Sequence, residues 1–375
     1  MPGRNGPGST APRIISSRTF PGPIRRRVAG PLRSKRLEVL QAQTPSDFAR
    51  GKADETAFSG LDNLSSRCHF PAVALSKLER LRELIRSYGS CLVAYSGGVD
   101  SVFLAHVARE VLGDKLLAVI ADSPSLPRRE LEEALSIARR FQIPARVVKT
   151  AEFENPNYVA NPNNRCYFCK HELFEELTPI AVAGGFAVIA YGENASDVGD
   201  FRPGAQAAAK FQVRAPLKEV GLTKQEIREL SARLGLPTAD KPQMACLSSR
   251  IPWGEPVTEE KLKMIEQAEN FIRDLGFHDV RVRHHELHSN VKSLDRCIVK
   301  SEGNDSTIQR FNAVTSLARI EVGIAELPRL LAGENFLRVG EALKKMGYAH
   351  VTLDLHGYRQ GSLNEAISLN GRRAI

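Results

Sequence analysis

The stretch CLVAYSGGVDSVFLAHVA, residues 91–108, carries the pattern that decides the fold. An apolar run ends at Tyr95, a Ser-Gly-Gly turn follows, and a helical pattern starts around Asp100. Glycines permit a tight turn and a close approach of backbone to ligand. A helix N-terminus offers unpaired N–H groups to an anion. The stretch therefore predicts a strand, a phosphate-binding loop and a helix in succession.

Outward from this stretch, short apolar runs alternate with helical ones. The runs LLAVIA, ARVVKT and FAVIAY lie at 116–121, 145–150 and 186–191, separated by helical stretches. Continuous apolar strands alternating with helices are typical of an α/β fold with a parallel sheet covered on both faces. Ligands of such sheets bind at the carboxyl ends of the strands.

A second α/β block follows the loop KPQMACLSSRIPWG, residues 241–254. A helical pattern over 259–276 precedes the runs VRVRHH, ARIEVG and VTLDLHGYR, which predict strands of a smaller domain. The expected division is a disordered basic leader (1–72), a domain that contains the parallel sheet (73–245) and a C-terminal domain (246–375).

The charge lies in the leader rather than in the body. The formal net charge is +9, and nine Arg and Lys residues precede the first acidic residue, Glu38, so the rest is formally neutral. A neutral body disfavours a nucleic-acid partner, because phosphate contacts dominate nucleic-acid affinity. The leader resembles either an organelle transit peptide or a disordered extension. No apolar run approaches the ~18 residues of a membrane span. Scattered cysteines favour a reducing compartment, and we expect a cytoplasmic enzyme.

The turn itself offers groups suited to a nucleotide. Ser96 and Ser101 supply hydroxyl donors, and Asp100 can hold Mg²⁺ against phosphate oxygens. The lysine of the GxxxxGK[ST] loop is missing. SGGVDS resembles the PP-loop of the adenine-nucleotide α-hydrolases, which have a Rossmann-like sheet and cleave ATP between the α- and β-phosphates. The resemblance implies ATP binding by Ser96, Gly97, Gly98, Asp100 and Ser101, with Asp122 and Ser123 near adenosine. Ser123 alternatively caps a helix.

Beyond the PP-loop, longer motifs resemble the LarE family of ATP-dependent sulfur transferases. These enzymes make the thiocarboxylates of the nickel-pincer nucleotide cofactor. The motifs are YGENASDVGDFRPG (191–204), PLKEVGLTKQEIRELSARLGLPTADKPQMACLSSRIPWG (216–254), VRVRHH (280–285), ARIEVG (318–323) and VTLDLHGYRQGSLNE (351–365). The resemblance covers about 75–366. The leader is extra, and 287–316 is interpreted as an insertion.

The resemblance implies a reaction and its nucleophile. Adenylation turns the carboxylates of pyridinium-3,5-biscarboxylic acid mononucleotide into acyl phosphates, which a thiolate can attack. Cys246 is the family's nucleophile position, and Arg250 with the nearby serines would favour its thiolate. A buried structural cysteine is the alternative reading. A PP-loop tRNA thiolase is the alternative function.

Paired basic and acidic residues of the second block are candidates for the substrate. Arg281 and Arg283 lie two apart on a predicted strand and share a face, which suits bidentate binding of phosphate or carboxylate. A solvated strand face is the other reading. Glu269 and Glu321 correspond to acidic family positions near the substrate. We further expect a homo-oligomer.

A CxxC lies in NPNNRCYFCKHELF, residues 161–174, interpreted as a loop leading into a helix. A zinc knuckle would need a second half, and a redox disulfide would leave Cys246 unused. Three thiolates can hold a [4Fe–4S] cluster with one iron open, as in the family's three-cysteine branch, with Cys166, Cys169 and Cys246 as ligands. The alternative is a single-use mechanism in which Cys246 gives up its own sulfur.

Overall fold

A computed structural model describes residues 72–197, 203–243, 245–288 and 314–359. The predicted leader lies outside these ranges, and the expected division near residue 245 stays a prediction. Within the described residues no helix has the length and apolarity needed to cross a membrane.

The first sheet is parallel and has four strands in the order β3-β2-β1-β4. Its strands are β1 (Cys91–Ala94), β2 (Leu116–Asp122), β3 (Ala145–Lys149) and β4 (Val188–Tyr191). The parallel register brings the C-terminal ends of β1, β2 and β4 to one edge. The α/β class and all four predicted strands are confirmed.

Within the described ranges, eight α-helices connect or flank these strands. The first, α1, shows why the pattern forms a helix: its apolar stripe buries Leu78, Leu81 and Ile85. The set comprises α1 (Ala72–Tyr88), α2 (Val99–Leu112), α3 (Arg128–Arg140), α4 (Pro156–Val159), α5 (Arg165–Gly184), α6 (Pro203–Lys210), α7 (Pro216–Glu219) and α8 (Lys224–Arg233).

The expected burial of every strand on both faces is wrong at one edge. Strand β1 is buried throughout, whereas most residues of β3 are exposed. Strand β3 pairs on one side only, with β2. An edge strand packs against fewer neighbours, and its apolar side chains remain partly in water: Val147 is 39% exposed.

The second sheet has three strands in the order β5-β6-β7. Strands β5 (Val280–His288) and β6 (Val314–Val322) are antiparallel, and β7 (His350–Leu353) lies parallel to β6. Three helices belong to this part: α9 (Glu259–Asp274), α10 (Leu327–Leu331) and α11 (Asn335–Lys345). Helix α9 packs Ala268 and Ile272 onto Val280 and Val282 of β5.

The predicted insertion at 287–316 overlaps described strands at both ends. Leu287 pairs with Thr315 and His288 with Val314, so both ends of the segment belong to the β5–β6 ladder. That the segment is an insertion stays a prediction. Residues 289–313 lie outside the described ranges.

Candidate functional site

The loop between β1 and α2 is shaped by its backbone. Gly97 has φ +74°, and a Cβ there would lie 2.6 Å from Cβ of Ala134 in α3. Both the left-handed conformation and the contact with α3 therefore require glycine. Gly98 is the N-cap of α2 and provides no side-chain cap, so the first N–H groups of the helix are not covered by a cap from this residue.

Two serine hydroxyls hold the loop together. Oγ of Ser101 accepts a hydrogen bond from the Ser96 amide at 3.1 Å and donates to the Gly98 carbonyl at 3.1 Å. Oγ of Ser96 lies 3.1 Å from Oγ of Ser101. The structure thus brings together the predicted ATP-binding residues of this loop and gives their hydroxyls internal partners.

Asp100, the predicted Mg²⁺ ligand, lies in the first turn of α2 and is paired. Its Oδ2 is 2.5 Å from Nζ of Lys224, at the start of α8, and Nδ2 of Asn194 donates to its Oδ1 at 3.3 Å. The segment after β4 lies close to the start of α2, since a Cβ added to Gly192 would be 2.9 Å from the Ser101 amide nitrogen.

A second lysine, further along the chain, also contacts the loop. Nζ of Lys241 lies 3.4 Å from the Gly97 carbonyl oxygen, 2.9 Å from Glu130 and 2.8 Å from Glu133. Sequence reasoning missed both Lys224 and Lys241. Each lies more than a hundred residues from the loop that it contacts, and no local pattern marks such a contact.

The end of β2 carries the two residues predicted near adenosine. Asp122 forms an ion pair with Arg128 at 2.5 Å. Oγ of Ser123 accepts from the Ser125 amide at 3.3 Å. Ser123 does not cap α3, whose N-cap is Pro127, so the alternative reading of Ser123 as a cap is wrong. Both residues lie at the C-terminal edge of the sheet, as predicted.

The CxxC lies on a helix rather than in a loop. Cys166 and Cys169 belong to the first turns of α5, which begins at Arg165. Asn161, Pro162 and Asn164 precede the helix and misled the assignment, because such residues are typical of turns. Cys166 is exposed, and Cys169 is partly buried.

Cys246 lies beside the start of the same helix. Its Sγ is 3.9 Å from a guanidinium nitrogen of Arg165, which is buried and also donates to the Ser248 carbonyl at 3.0 Å. The Arg165 guanidinium also lies over the Trp253 ring, 5.1 Å from the ring centroid. Arg165 is thus a cation next to the predicted nucleophile that sequence reasoning overlooked, although it directly precedes the CxxC.

The three cysteines share one neighbourhood without forming a metal site. Burial raises the pKa of the Cys169 thiol, and Glu152, Cys246 and Cys166 act in the same direction. Across the described ranges, no three His, Cys, Asp or Glu side chains form a group that could hold a metal ion. The thiols match a [4Fe–4S] cluster in kind but, as arranged in the described residues, not in geometry.

Three buried hydroxyls fasten the Cys246 segment to the first sheet. Oγ of Ser248 lies 2.6 Å from Oγ of Ser125 and 2.8 Å from the Tyr158 hydroxyl, and the last two are 2.5 Å apart. The Leu247 amide also donates to the Ser125 carbonyl at 2.8 Å. The predicted nucleophile is therefore held against the loop that follows β2, two residues after the predicted adenosine residue Ser123.

Arg250 and Glu269 form a buried ion pair. Nε and a terminal nitrogen of Arg250 donate to the two Glu269 oxygens at 2.8 and 3.1 Å, and the other terminal nitrogen bonds the carbonyls of Ala245 and Cys246. Burial acts to raise the pKa of Glu269, but Arg250, Arg281 and Arg273 outweigh it and lower that pKa. Arg250 therefore holds the backbone on both sides of Cys246, anchored by α9.

The strand arginines are buried as well, so the reading as a solvated face is wrong. Arg283 donates to Glu321 at 2.9 and 3.1 Å and to the Ser249 carbonyl at 3.0 Å. Arg281 donates to the Gln243 carbonyl at 3.2 Å and lies 5.0 Å from the Tyr358 ring. Burial lowers the pKa of Arg281, and the charge of Arg250 adds to this effect.

One segment joins these parts. Between residues 241 and 250 the chain touches the phosphate loop through Lys241, Arg281 through Gln243, and the end of β2 through Leu247. The predicted nucleotide residues and the predicted substrate residues therefore flank the same short stretch that carries Cys246. This arrangement can hold an anionic nucleotide and a second anionic molecule on either side of a thiol.

Two relatives align with the chain along almost their whole length. The uncharacterized protein slr1717 of Synechocystis sp. is 42% identical over 293 residues, 78% of this chain and 98% of that protein. The pyridinium-3,5-bisthiocarboxylic acid mononucleotide synthase of Lactiplantibacillus plantarum is 29% identical over 298 residues, 79% of this chain and 97% of that protein.

A third similarity covers only part of the chain. The glutamine-hydrolysing GMP synthase of Carboxydothermus hydrogenoformans is 29% identical over 226 residues, 52% of this chain and 42% of that protein. No protein-family model matches the chain.

Proposed function

The chain belongs to the same family as the Synechocystis protein slr1717, and we propose that it is an ATP-dependent sulfur transferase. Its substrate would be pyridinium-3,5-biscarboxylic acid mononucleotide, whose carboxylates become thiocarboxylates during synthesis of the nickel-pincer cofactor. The name of the Lactiplantibacillus relative supports this substrate, and the similarity to GMP synthase supports a shared ATP-using part with a PP-loop.

The observation that carries the proposal is the position of Cys246 between two sets of anion-binding groups. The loop at Ser96–Ser101 lies at the C-terminal edge of a parallel sheet, where nucleotides bind. Arg281 and Arg283 lie on the other side of the segment that bears Cys246. An enzyme that activates a carboxylated nucleotide with ATP and then attacks it with a cysteine needs such a pair of sites around one thiol.

The chemistry then runs in two displacements. A substrate carboxylate oxygen attacks the α-phosphorus of ATP, and pyrophosphate leaves with the bridging oxygen, giving an acyl adenylate. A sulfur nucleophile attacks the acyl carbon, and AMP leaves with the former carboxylate oxygen. If that nucleophile is Cys246, the product is a thioester; loss of the Cα proton and cleavage of the Cβ–Sγ bond then release the thiocarboxylate and leave dehydroalanine. Mg²⁺, held by Asp100 and phosphate oxygens, would neutralise the charge on the departing pyrophosphate.

For the residues of this chain, the proposal assigns distinct tasks. The loop amides would bind phosphate, Cys246 would act as the nucleophile, and Arg165 lies where it favours the charged thiolate. Arg250 positions the Cys246 backbone from its buried pair with Glu269. Arg281, whose described contacts go to carbonyl groups and a ring, would attract the substrate phosphate.

The test measures the nucleotide products. We expect purified protein with substrate, Mg²⁺ and ATP to release AMP and pyrophosphate, and Asp100→Ala to abolish the release while the fold is kept. Glu110→Ala, on an exposed part of the same helix, is the matched control and should retain activity. Release of ADP and phosphate would contradict the proposal.

The source of the sulfur separates two routes. If Cys246 is the donor, the chain acts once, loses the mass of H₂S and forms dehydroalanine. In that case Cys166→Ala and Cys169→Ala leave the single event intact. That the three cysteines hold a [4Fe–4S] cluster and permit repeated turnover stays a prediction. Iron and acid-labile sulfide content after anaerobic purification, with intact mass after reaction, distinguishes the routes.

A further inference from the structure

We propose that Lys224 binds the polyphosphate of ATP at the Ser96–Ser101 loop. Its ion pair with Asp100 is then the arrangement of the site before Mg·ATP enters. This inference rests on the proposed function, which requires ATP at this loop, and it adds a residue that the loop motif does not contain.

The loop needs a cation that its own sequence does not supply. Phosphate loops of the GxxxxGK[ST] type carry a lysine that reaches the terminal phosphates, and SGGVDS has none. In the structure Nζ of Lys224 lies 2.5 Å from Oδ2 of Asp100, within the first turn of α2. A side chain from a distant helix thus places an ammonium group at the mouth of the loop.

The other lysine near the loop is less suited to this task. Lys241 makes ion pairs with both Glu130 and Glu133, so its charge is already balanced by two carboxylates. Among the described residues Lys224 forms an ion pair with Asp100 and with no other carboxylate. If Asp100 binds a metal ion instead, Lys224 loses its carboxylate partner, and its ammonium group can then bind phosphate.

The stability of α8 does not explain a lysine at position 224. Lys224 is the first residue of that helix, where a positive charge is unfavourable because the N-terminus of the helix dipole is itself positive. The helix is already closed by a capping box between Thr223 and Glu226. A function outside the helix accounts for the residue better than helix formation does.

The pair with Asp100 can open readily. The side chains of Lys224 and Asp100 are 30% and 19% exposed, and partly exposed lysine–carboxylate pairs contribute little to stability. A divalent cation arriving with ATP competes for the carboxylate with twice the charge. Once Asp100 binds Mg²⁺, Nζ of Lys224 is left beside the phosphates that the ion accompanies.

The test compares two nucleotides that differ in the polyphosphate. We would measure by calorimetry the binding of Mg²⁺ with α,β-methylene-ATP, which cannot be cleaved at the reacting bond, and of AMP. Lys224→Met should weaken binding of α,β-methylene-ATP about tenfold or more, the usual effect of a lost charged hydrogen bond. Binding of AMP should change by less than about twofold, since it lacks the groups that Lys224 contacts.

Lys77→Met is the matched control. Lys77 lies on α1, and its Nζ is 2.7 Å from Glu226 in the first turn of α8. This pair does not include a residue of the loop. It should bind both nucleotides like the wild type, and Lys224→Arg should recover part of the lost affinity. Unchanged binding of α,β-methylene-ATP by Lys224→Met, or equal loss for AMP, would overturn the inference. Failure of the wild type to bind either nucleotide would instead overturn the proposed function.

Discussion

The predicted phosphate loop and the buried arginines of the second sheet are both proposed to bind anions, but they are built by different physical means. At the loop the backbone performs the task, with Gly97 in a left-handed conformation and serine hydroxyls bonding to amides and carbonyls. Around Arg250 and Arg283 the task falls to charged side chains, each matched by a buried carboxylate.

This difference predicts different sensitivities. A loop held by backbone conformation tolerates changes of charge but not the addition of a side-chain atom. A buried ion pair tolerates changes of size better than the loss of one partner, because the remaining charge is left without compensation.

Removal of the Glu269 carboxylate should have the largest effect. Glu269 is fully buried and bonds Arg250, Arg273 and the Val282 amide. Glu269→Ala is expected to lower the free energy of unfolding by about 3 to 5 kcal/mol, since it leaves a buried guanidinium unpaired. Denaturation in urea measures the loss.

The matched control is Glu79→Ala, which removes a carboxylate from an ion pair whose glutamate is 66% exposed. It should change the free energy of unfolding by less than about 1 kcal/mol. Equal losses in the two variants would mean that burial does not distinguish the two kinds of pair.

At the loop, the addition of one methyl group should be the damaging change. Gly97→Ala places a Cβ 2.6 Å from that of Ala134 and also strains a φ of +74°. We expect it to destabilise the protein by about 2 to 4 kcal/mol and to abolish ATP cleavage.

Gly113 also has a positive φ, +57°, but no atom lies within 4 Å of a Cβ added by Gly113→Ala. This control should cost about 1 to 2 kcal/mol and preserve activity. If Gly113→Ala proved as harmful as Gly97→Ala, the contact with α3 would not be the reason for the glycine.

A single buried charge at the second sheet should destabilise the protein, although paired charges are buried there. His284 lies on the opposite face of β5 from Arg283 and packs near Tyr348. Burial, with a smaller effect of Lys261, lowers its pKa from 6.5 to about 4.

Because the unfolded chain binds this proton at higher pH than the folded one, stability should fall as the pH drops from 6.5 toward 4. Over this pH range, His284 should account for a loss of about 2 to 3 kcal/mol in the free energy of unfolding. Urea titrations at several pH values should show a shallower dependence for His284→Gln. Identical slopes would argue against a neutral, buried histidine.

The smallest effect is expected for a hydroxyl. Ser101→Ala removes the hydrogen bonds to the Ser96 amide and the Gly98 carbonyl inside the loop. It should lower stability by about 1 kcal/mol. Ser76→Ala, at an exposed position of α1, should stay within about 0.5 kcal/mol of the wild type. Thermal unfolding of both variants provides the comparison.

The success of prediction differed between the two regions for a physical reason. The loop could be predicted because its strand, glycines and helix start are consecutive in the chain, and each has a local signal. Placing the CxxC in a loop was wrong, since polar residues before α5 resemble a turn that continues. The continuation of β5 and β6 into the segment 287–316 was not predicted, because strand pairing depends on a partner strand distant in the sequence rather than on a local pattern.

The sequence by itself determined the parallel sheet, the left-handed glycine turn and the pairing of two arginines on one strand face, since these depend on neighbours one to four residues away. Only the tertiary structure decided which charges meet. Lys224 reaches Asp100, Arg165 reaches Cys246, and Arg250 reaches Glu269. The first two partners are 124 and 81 residues apart, and Arg250 and Glu269 come from a short turn and a separate helix. Such contacts follow from how helices pack around the sheets, and packing is a property of the whole chain.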